Sequence, residues 1–185
     1  TGGSVELLGQ DLARLDEDGR ARLRRGRVSL VFQAFHLLPN MTALENIAAP
    51  LEIARRPDAE AVARTWLERV GLADRAEQAA GTLPYGLQRR LEIARALSLQ
   101  PELLLLDEPA AGMNPEEVEQ LNDLILGIHR DFKLTILVIE HHMELVMAIC
   151  PHIVCMNFGA LIAEGGPEDI QSHPEVLKAY LGEED

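Results

Sequence analysis

The sequence predicts an α/β domain built on a largely parallel sheet, and three observations support this class. Leu103 to Leu106 and Thr135 to Ile139 are short apolar runs with the length and composition of strands covered on both faces. Segments with helical periodicity alternate with such runs, which is the pattern of parallel strands joined by right-handed crossovers. A chain of 185 residues is also long enough for one such domain with a hydrophobic core.

The elements predicted before residue 40 are short. In chain order they are a turn at 1–4, an alternating stretch at 5–8, a turn at Gly9, a charged helix at 16–25 and a strand at 27–32 that ends at Gln33.

A helical insertion without strands is predicted at 42–80. Thr42 caps its first helix, and Glu45, three residues later, completes a capping box. A second helix runs over 58–70 and is closed by Gly71.

The second half of the chain alternates strands with helices. An amphipathic helix at 87–99 continues the helical insertion. The elements that follow are a strand from Leu103, a helix from Pro115 to about Arg130, a strand at 135–139, a helix at 143–149, strands at 153–156 and 161–163, a loop at 165–167 and two short helices.

Composition disfavours several classes of protein. The formal net charge is −13 and the pI is near 4.8, so the chain lacks the electrostatic footprint that nucleic acid or anionic lipid requires. Cys150 and Cys155 have neither metal-ligand nor thioredoxin-like spacing, and we interpret them as buried free thiols. The sequence shows neither a signal peptide nor an apolar run of bilayer length, so we expect any role at a membrane to depend on a partner protein.

The strand that begins at Leu103 ends in residues suited to phosphate chemistry. Ligands of open α/β sheets bind at the carboxyl ends of the strands. Asp107 is placed there to hold Mg²⁺ through water, and Glu108 to polarise an attacking water. Pro109 stops the strand because it has no N–H to donate. Taken alone, the run is explained equally well as a buried strand that happens to end in acids.

Three further segments suit a nucleotide site, although each also has a purely structural explanation. Gln33 could ligate Mg²⁺ or orient a water, or it could be a polar loop residue. Gly86 lies at a helix N-terminus, where backbone N–H groups and the helix dipole suit a phosphate, but ordinary helix entries look the same. His141 follows the strand at 135–139 and could contact a transferring phosphate, although most such histidines are structural.

In this order and at these spacings, the motifs resemble those of the nucleotide-binding subunit of an ABC transporter, over the whole chain. The resemblance implies a P-loop NTPase-like fold with a helical subdomain. Gln33 matches the Q-loop glutamine, which contacts the nucleotide and Mg²⁺, and Asp107 matches the Walker B aspartate, which binds Mg²⁺. The resemblance makes Glu108 the catalytic glutamate and His141 the switch histidine. The resemblance also implies a nucleotide-binding signature formed by Leu83, Pro84, Tyr85, Gly86 and Leu87. It implies a D-loop at Ala111 to Asn114, whose last residue, Asn114, would bind the nucleotide.

The same resemblance implies the ligands and partners. ATP and Mg²⁺ would bind between two copies of the ATPase subunit that pair head to tail. Transmembrane permease subunits would hold this pair at the cytoplasmic face of the inner membrane, and no nucleic acid would be involved.

Three features depart from the family pattern. The phosphate-loop motif Gly-x-x-x-x-Gly-Lys-Ser/Thr does not occur, Pro84 and Tyr85 replace a serine and a glycine of the signature, and Asn114 replaces an aspartate. We therefore expect residues 1–185 to be a single ABC ATPase domain that is incomplete at its N-terminus. Expressed alone, such a chain should bind ATP weakly and be prone to aggregation through an unpaired sheet edge.

Two subgroups of the family are represented in the motifs. The segments 83–116, 139–147 and 165–181 resemble branched-chain amino-acid importers, whereas 31–46 resembles the lipoprotein-release and macrolide-export group, with a seam at 74–83. The importer resemblance is longer and more specific, and it predicts an ATPase that energises branched-chain amino-acid uptake.

Other functions stay open on sequence grounds. One is the lipoprotein-release or macrolide-export type of ATPase, and a recombinant chain would explain both resemblances. Another is a non-catalytic fragment that acts only as an interaction partner, which the missing phosphate loop favours. A third is a soluble ABC ATPase of DNA repair or translation, which the absence of coiled-coil or tandem-domain insertions disfavours.

Overall fold

The structure, a computed structural model, describes residues 3–181. These residues form a three-stranded parallel sheet, two antiparallel hairpins and the helices around them, which confirms the predicted α/β class. The predicted turn at 1–4 begins at residues that lie outside the described range.

The strands and helices follow the predicted order. The strands are β1 Glu6–Leu7, β2 Gln10–Asp11, β3 Val28–Val31, β4 Leu103–Asp107, β5 Thr135–Ile139, β6 Ile153–Asn157 and β7 Ala160–Gly165. The helices are α1 Glu17–Arg24, α2 Ala43–Ile53, α3 Ala59–Arg69, α4 Tyr85–Leu97, α5 Pro115–Phe132, α6 Met143–Ile149, α7 Pro167–Gln171 and α8 Pro174–Leu181.

Strand β4 is the centre of the parallel sheet and pairs with β3 on one side and β5 on the other. Val31 lies opposite Leu106, and Asp107 lies opposite Ile139. Because the strands are parallel, their carboxyl ends meet at one edge of the sheet. The polar residues that follow the three strands are therefore brought to the same edge.

The apolar strands are not covered equally on both faces, contrary to the expectation from the sequence. Leu104 and Leu106 are each 1% exposed and belong to the main core, together with residues of α4 and α5. On β5, Leu137 and Ile139 are 55% and 59% exposed. Side chains alternate between the two faces of a strand, so an apolar run in the sequence does not predict how far other elements bury each face. That cover depends on which helices pack against the sheet.

The segment predicted to be helical contains α2 and α3, which pack against each other and against α4. The capping box of α2 is confirmed, because the Glu45 N–H donates to Thr42 Oγ1 at 3.1 Å and the Thr42 N–H donates to Glu45 Oε2 at 2.7 Å. Helix α3 agrees with the prediction within one residue at each end. The carboxylate of Asp58 does not cap α3, because it accepts hydrogen bonds from Arg56, which hold the pKa of Asp58 below its usual value.

Several element boundaries differ from the sequence-based expectation by one or two residues. Helix α4 begins at Tyr85 rather than at residue 87. Strand β7 begins at Ala160 and extends to Gly165, because Gly165 lies opposite Ile153 in the ladder with β6. The alternating stretch at 5–8 contains only the two residues of β1, which pairs with β2 across a tight turn.

The two cysteines are free, as predicted, although only Cys155 is fully buried and Cys150 is half-buried. Burial raises the pKa of both thiols, which keeps them protonated near neutral pH. Among residues 3–181, none of the helices combines the length and the apolar character needed to span a bilayer.

Asn46 joins the start of α2 to the loop before it and is fully buried. Its Oδ1 accepts from the Leu38 N–H at 2.8 Å, and its Nδ2 donates to the carbonyls of Leu38, Met41 and Thr42 at 3.0, 3.3 and 3.0 Å. One side chain thus bonds four backbone groups of this loop. The three carbonyls also accept from the backbone N–H groups of Met41, Ala80 and Asn46, whereas the Leu38 N–H is bonded to Asn46 Oδ1.

We predict that Asn46→Ala lowers the free energy of unfolding by roughly 1–3 kcal/mol, because backbone groups of the loop lose their only side-chain partner. Urea denaturation followed by circular dichroism measures the change. Glu52→Ala, on the exposed side of the same helix, is the control and should stay within about 0.5 kcal/mol of the unmodified protein. Equal stability of the two variants would contradict the role assigned to Asn46.

Candidate functional site

The candidate site lies where the three parallel strands end. Gln33 follows β3, Asp107 is the last residue of β4, and Glu140 and His141 follow β5. The parallel pairing therefore places on one edge the polar residues that the sequence distributes over more than a hundred positions.

Glu108 leaves the end of β4 in a left-handed backbone conformation, with a φ of 42°. This conformation costs a residue with a side chain roughly 1–2 kcal/mol. The Glu108 N–H donates to the Ile139 carbonyl at 2.8 Å, so the turn is anchored to the neighbouring strand. Strained backbone of this kind is concentrated at functional sites.

The carboxylate of Glu108 faces two of the other predicted site residues. Gln33 Nε2 donates to Glu108 Oε2 at 2.7 Å, and His141 Nδ1 lies 3.7 Å from the same oxygen. The imidazole of His141 is mostly exposed, whereas the Glu108 side chain is about one-third exposed at 31%. A carboxylate oriented by an amide and open to solvent is suited to polarise a water molecule.

Glu140 is a residue of this edge to which the sequence pattern assigned no role. Its side chain is fully buried, and its two oxygens accept from three backbone N–H groups. The donors are Ala110 at 2.8 Å, His141 at 2.9 Å and His142 at 3.1 Å. Glu140 therefore ties the loop after β4 to the turn that carries His141. A carboxylate directly after a strand is the only sequence signal for this function.

Asp107 is one of the residues at this edge with the chemistry of a magnesium ligand. It is half-buried at the end of β4, between the ends of β3 and β5. Among the residues that the structure describes, no group of three or more His, Cys, Asp or Glu side chains could by itself hold a metal ion. The carboxylate of Asp107 therefore fits an ion that takes only one or two oxygens from the protein and completes its coordination shell with water and phosphate, as Mg²⁺ does.

The predicted signature segment, Leu83 to Leu87, begins α4 on the other side of the loop after β4. Pro84 occupies the N-cap position and makes no side-chain capping bond. Gly86 is buried, and a Cβ at this position would lie 2.7 Å from Oε1 of Glu117 on α5. Only a glycine lets α4 approach α5 this closely without displacing the Glu117 side chain.

Tyr85 and Asn114 make contacts within the chain that the sequence did not predict. The Tyr85 ring lies 4.6 Å from the Phe35 ring and packs against Gly112, whose φ is +78°. Asn114 Oδ1 accepts from the Glu117 N–H at 3.0 Å, so its carboxamide caps α5. The nucleotide-binding functions of Tyr85 and Asn114 stay predictions.

Two groups of predicted residues are thus distinguished by their contacts. Gln33, Glu108 and His141 meet at the edge of the sheet. Within residues 3–181, no side-chain hydrogen bond or ion pair joins any of the three to the segment 83–87.

Comparison with known families gives two matches along the chain. The profile of the family described as ABC transporter matches residues 1–111. The profile described as branched-chain amino acid ATP-binding cassette transporter matches residues 160–185.

Curated relatives match almost the whole chain. The high-affinity branched-chain amino acid transport ATP-binding protein BraF of Pseudomonas aeruginosa is 44% identical over 99% of this chain and 77% of its own length. The corresponding LivG protein of Escherichia coli K12 is 43% identical with the same coverage. The methionine import ATP-binding protein MetN of Caulobacter vibrioides is 42% identical over 93% of this chain but only 52% of its own length.

Solved structures agree with the fold. The ATP-binding cassette MJ0796, in a dimeric post-hydrolysis state bound to ADP and Pi, is 27% identical and superposes with a TM-score of 0.78 over 90% of this chain and 74% of its own. The cbiO1 protein of Clostridium perfringens, part of the ABC transporter complex cbiONQ, has a TM-score of 0.79 over 88% of this chain and 66% of its own, at 24% identity. The second likeness concerns the fold alone.

We predict that Glu140→Gln destabilises the protein by roughly 1–3 kcal/mol, because an amide N–H₂ would replace one of the oxygens that accept backbone N–H groups. Chemical denaturation gives the change in stability, and hydrogen exchange should show faster exchange at the amides of Ala110 and His142. Glu144→Gln, at an exposed position of α6, is the matched control and should change neither measurement. Unchanged exchange at both amides would rule out the function assigned to Glu140.

Proposed function

We propose that this chain, which belongs to the family of ABC transporter ATP-binding domains, is the ATP-hydrolysing part of an importer for branched-chain amino acids. The observation that carries the proposal is the meeting of Gln33 and His141 at the Glu108 carboxylate, in a chain 44% identical to a branched-chain amino acid transport ATP-binding protein. The family model at the C-terminus and the LivG relatives support the same class of solute.

In the proposed reaction, Glu108 polarises the water that attacks the γ-phosphate of ATP. Its left-handed backbone projects it from the end of β4, and the Gln33 amide orients the carboxylate through the bond to Oε2. His141 Nδ1, 3.7 Å from that oxygen, is placed to donate to a γ-phosphate oxygen as charge develops there. The protein forms no covalent intermediate in this reaction. The rate increases because the attacking water and the phosphate are positioned and the developing charge is stabilised.

Asp107 and the amide oxygen of Gln33 are the atoms proposed to hold Mg²⁺. The hydrogen bond to Glu108 uses the N–H₂ group of Gln33, so the oxygen of the same amide is the group available to a metal. When bound, Mg²⁺ supplies positive charge that neutralises the phosphate oxygens. Asp107, at the end of a strand paired on both sides, offers a rigid ligand.

The partner proposed for this chain is a second copy of the ATPase subunit. Hydrogen bonds and ion pairs within residues 3–181 leave the segment 83–87 unconnected to Glu108 and His141, which is the arrangement expected if the segment acts on nucleotide held by another copy. On this proposal, Leu83 to Leu87 and Asn114 contact the ATP of the partner. Permease subunits bind the pair at the cytoplasmic face of the membrane.

The helical segment from Thr42 to Ala80 is proposed as a subdomain that continues into α4. Its helices α2 and α3 pack against α4, and Thr42 forms an isolated bridge with Ala79 that closes the segment at its base. The rest of the chain then forms the sheet-containing part of one ABC ATPase domain.

We predict that Glu108→Gln abolishes ATP hydrolysis in the full-length protein but leaves ATP binding intact, because the substitution keeps the side-chain shape and removes the charge. A loss of at least about 100-fold in kcat is expected for a residue that polarises the attacking water. A phosphate-release assay measures turnover, and filter binding measures ATP retained. Glu116→Gln, exposed on α5, is the control. Hydrolysis by Glu108→Gln near the unmodified rate would refute the assignment.

We predict that residues 1–185 alone bind Mg-ATP more weakly than about 100 µM, because their sequence contains no phosphate-loop motif to supply backbone donors and a lysine. Isothermal titration calorimetry measures the affinity, and a BraF-type relative of full length serves as the reference. Micromolar binding by residues 1–185 would contradict this prediction and would also remove the support for a purely non-catalytic interaction module.

A further inference from the structure

We propose that Arg89, held by Glu92, is a positioning residue that fastens the loop carrying Gln33 to helix α4 and thereby sets the position of Gln33 at Glu108. This inference rests on the proposed ATPase function, because its consequence is a change in the position of Gln33 at Glu108. Arg89 and Glu92 lie outside the motif residues assigned to nucleotide, metal or catalysis.

The two side chains form an ion pair inside the core. Arg89 Nη1 donates to Glu92 Oε2 at 2.9 Å, and the side chains are 0% and 1% exposed. Buried ion pairs are expensive to desolvate, and apolar residues of similar size often replace them without loss of stability. The function of this pair is therefore expected to lie in the other groups that its charges bind.

The Arg89 guanidinium also donates hydrogen bonds to the backbone of the Gln33 loop. Nη1 donates to the Phe32 carbonyl at 2.6 Å, and Nη2 donates to the Gln33 carbonyl at 2.8 Å. The guanidinium also lies 4.8 Å from the centre of the Phe35 ring. Its Nε is buried and has no hydrogen-bond partner. The guanidinium is therefore oriented to reach the two carbonyls even though one of its own donors is left unpaired.

The far end of the same loop is held by the next turn of α4. Glu92 Oε1 accepts from the His36 N–H at 2.8 Å, and Arg95 Nη1 donates to the His36 carbonyl at 2.5 Å. Residues 89, 92 and 95 recur every three positions and thus lie along one side of α4. The loop from Phe32 to His36 is consequently bonded to α4 at both ends.

These contacts connect α4 to the proposed catalytic carboxylate. The carbonyl of Gln33 is bonded to Arg89, and the side chain of Gln33 is bonded to Glu108. Without the guanidinium, the carbonyls of Phe32 and Gln33 would lose the donors that bond them to α4. The Arg89–Glu92 pair therefore sets the position of Gln33 at Glu108.

The test uses the full-length protein and Arg89→Lys, which keeps a positive charge beside Glu92 but lacks the fork that reaches both carbonyls. We expect kcat to fall on the order of 10-fold to 100-fold, as for displaced positioning groups, while KM for ATP changes less than about twofold. Arg64→Lys, which exchanges an exposed arginine of α3, is the matched control and should leave both constants unchanged. Rates are expressed per nucleotide-binding site, so that a smaller folded fraction does not lower them.

A double variant with Gln33→Ala separates positioning from general stability. If Arg89 acts through Gln33, Arg89→Lys should reduce kcat no further once Gln33 is alanine. Multiplicative losses in the double variant, or a kcat of Arg89→Lys within twofold of the unmodified protein, would overturn the inference. Should Arg89→Lys not fold, Glu92→Gln is subjected to the same cycle and judged by the same two results. If the unmodified protein itself does not hydrolyse ATP, the proposed function is wrong. If the unmodified protein hydrolyses ATP and Arg89→Lys does so at the same rate, only the positioning function of Arg89 is wrong.

Discussion

The parallel pairing of β4 with β3 and β5 is the constraint on which the candidate site depends. Because the register aligns Val31 with Leu106 and Asp107 with Ile139, the three strands end at one edge of the sheet. The chain can then place an amide, carboxylates and an imidazole within a few ångströms of each other although they are far apart in sequence. A shift of the register by one residue would turn these side chains to the other face.

Two buried carboxylates hold the loops that leave this edge. Glu140 accepts backbone N–H groups from the loop after β4 and from the turn after β5. Glu92 accepts from the loop after β3 and pairs with Arg89. Loops are usually the mobile parts of a domain, and buried charges that need several backbone partners restrict them to one arrangement. The site residues are thus carried on loops but positioned by the core.

The sequence predicted the positions of most strands and helices along the chain and the proposed catalytic residues, because each depends on local chemistry. Apolar runs of strand length, the Thr42–Glu45 capping box and Pro115 at the start of α5 are signals within a few residues. Predictions were wrong or silent where the partner is distant in sequence. The exposure of Leu137 and Ile139 depends on which helices cover β5, and the capping of α5 by Asn114 was not predicted.

The α/β class, the family resemblance and the candidate site residues Gln33, Asp107, Glu108 and His141 can be predicted from the sequence, because motif order and residue type are properties of the chain. How these residues are held depends on the packing of the folded domain. Arg89 and Glu140 look like ordinary charged residues in sequence, and their importance comes from burial beside backbone groups of remote loops. Burial removes the water that would otherwise satisfy those charges, so their partners are set by the packing of the whole domain.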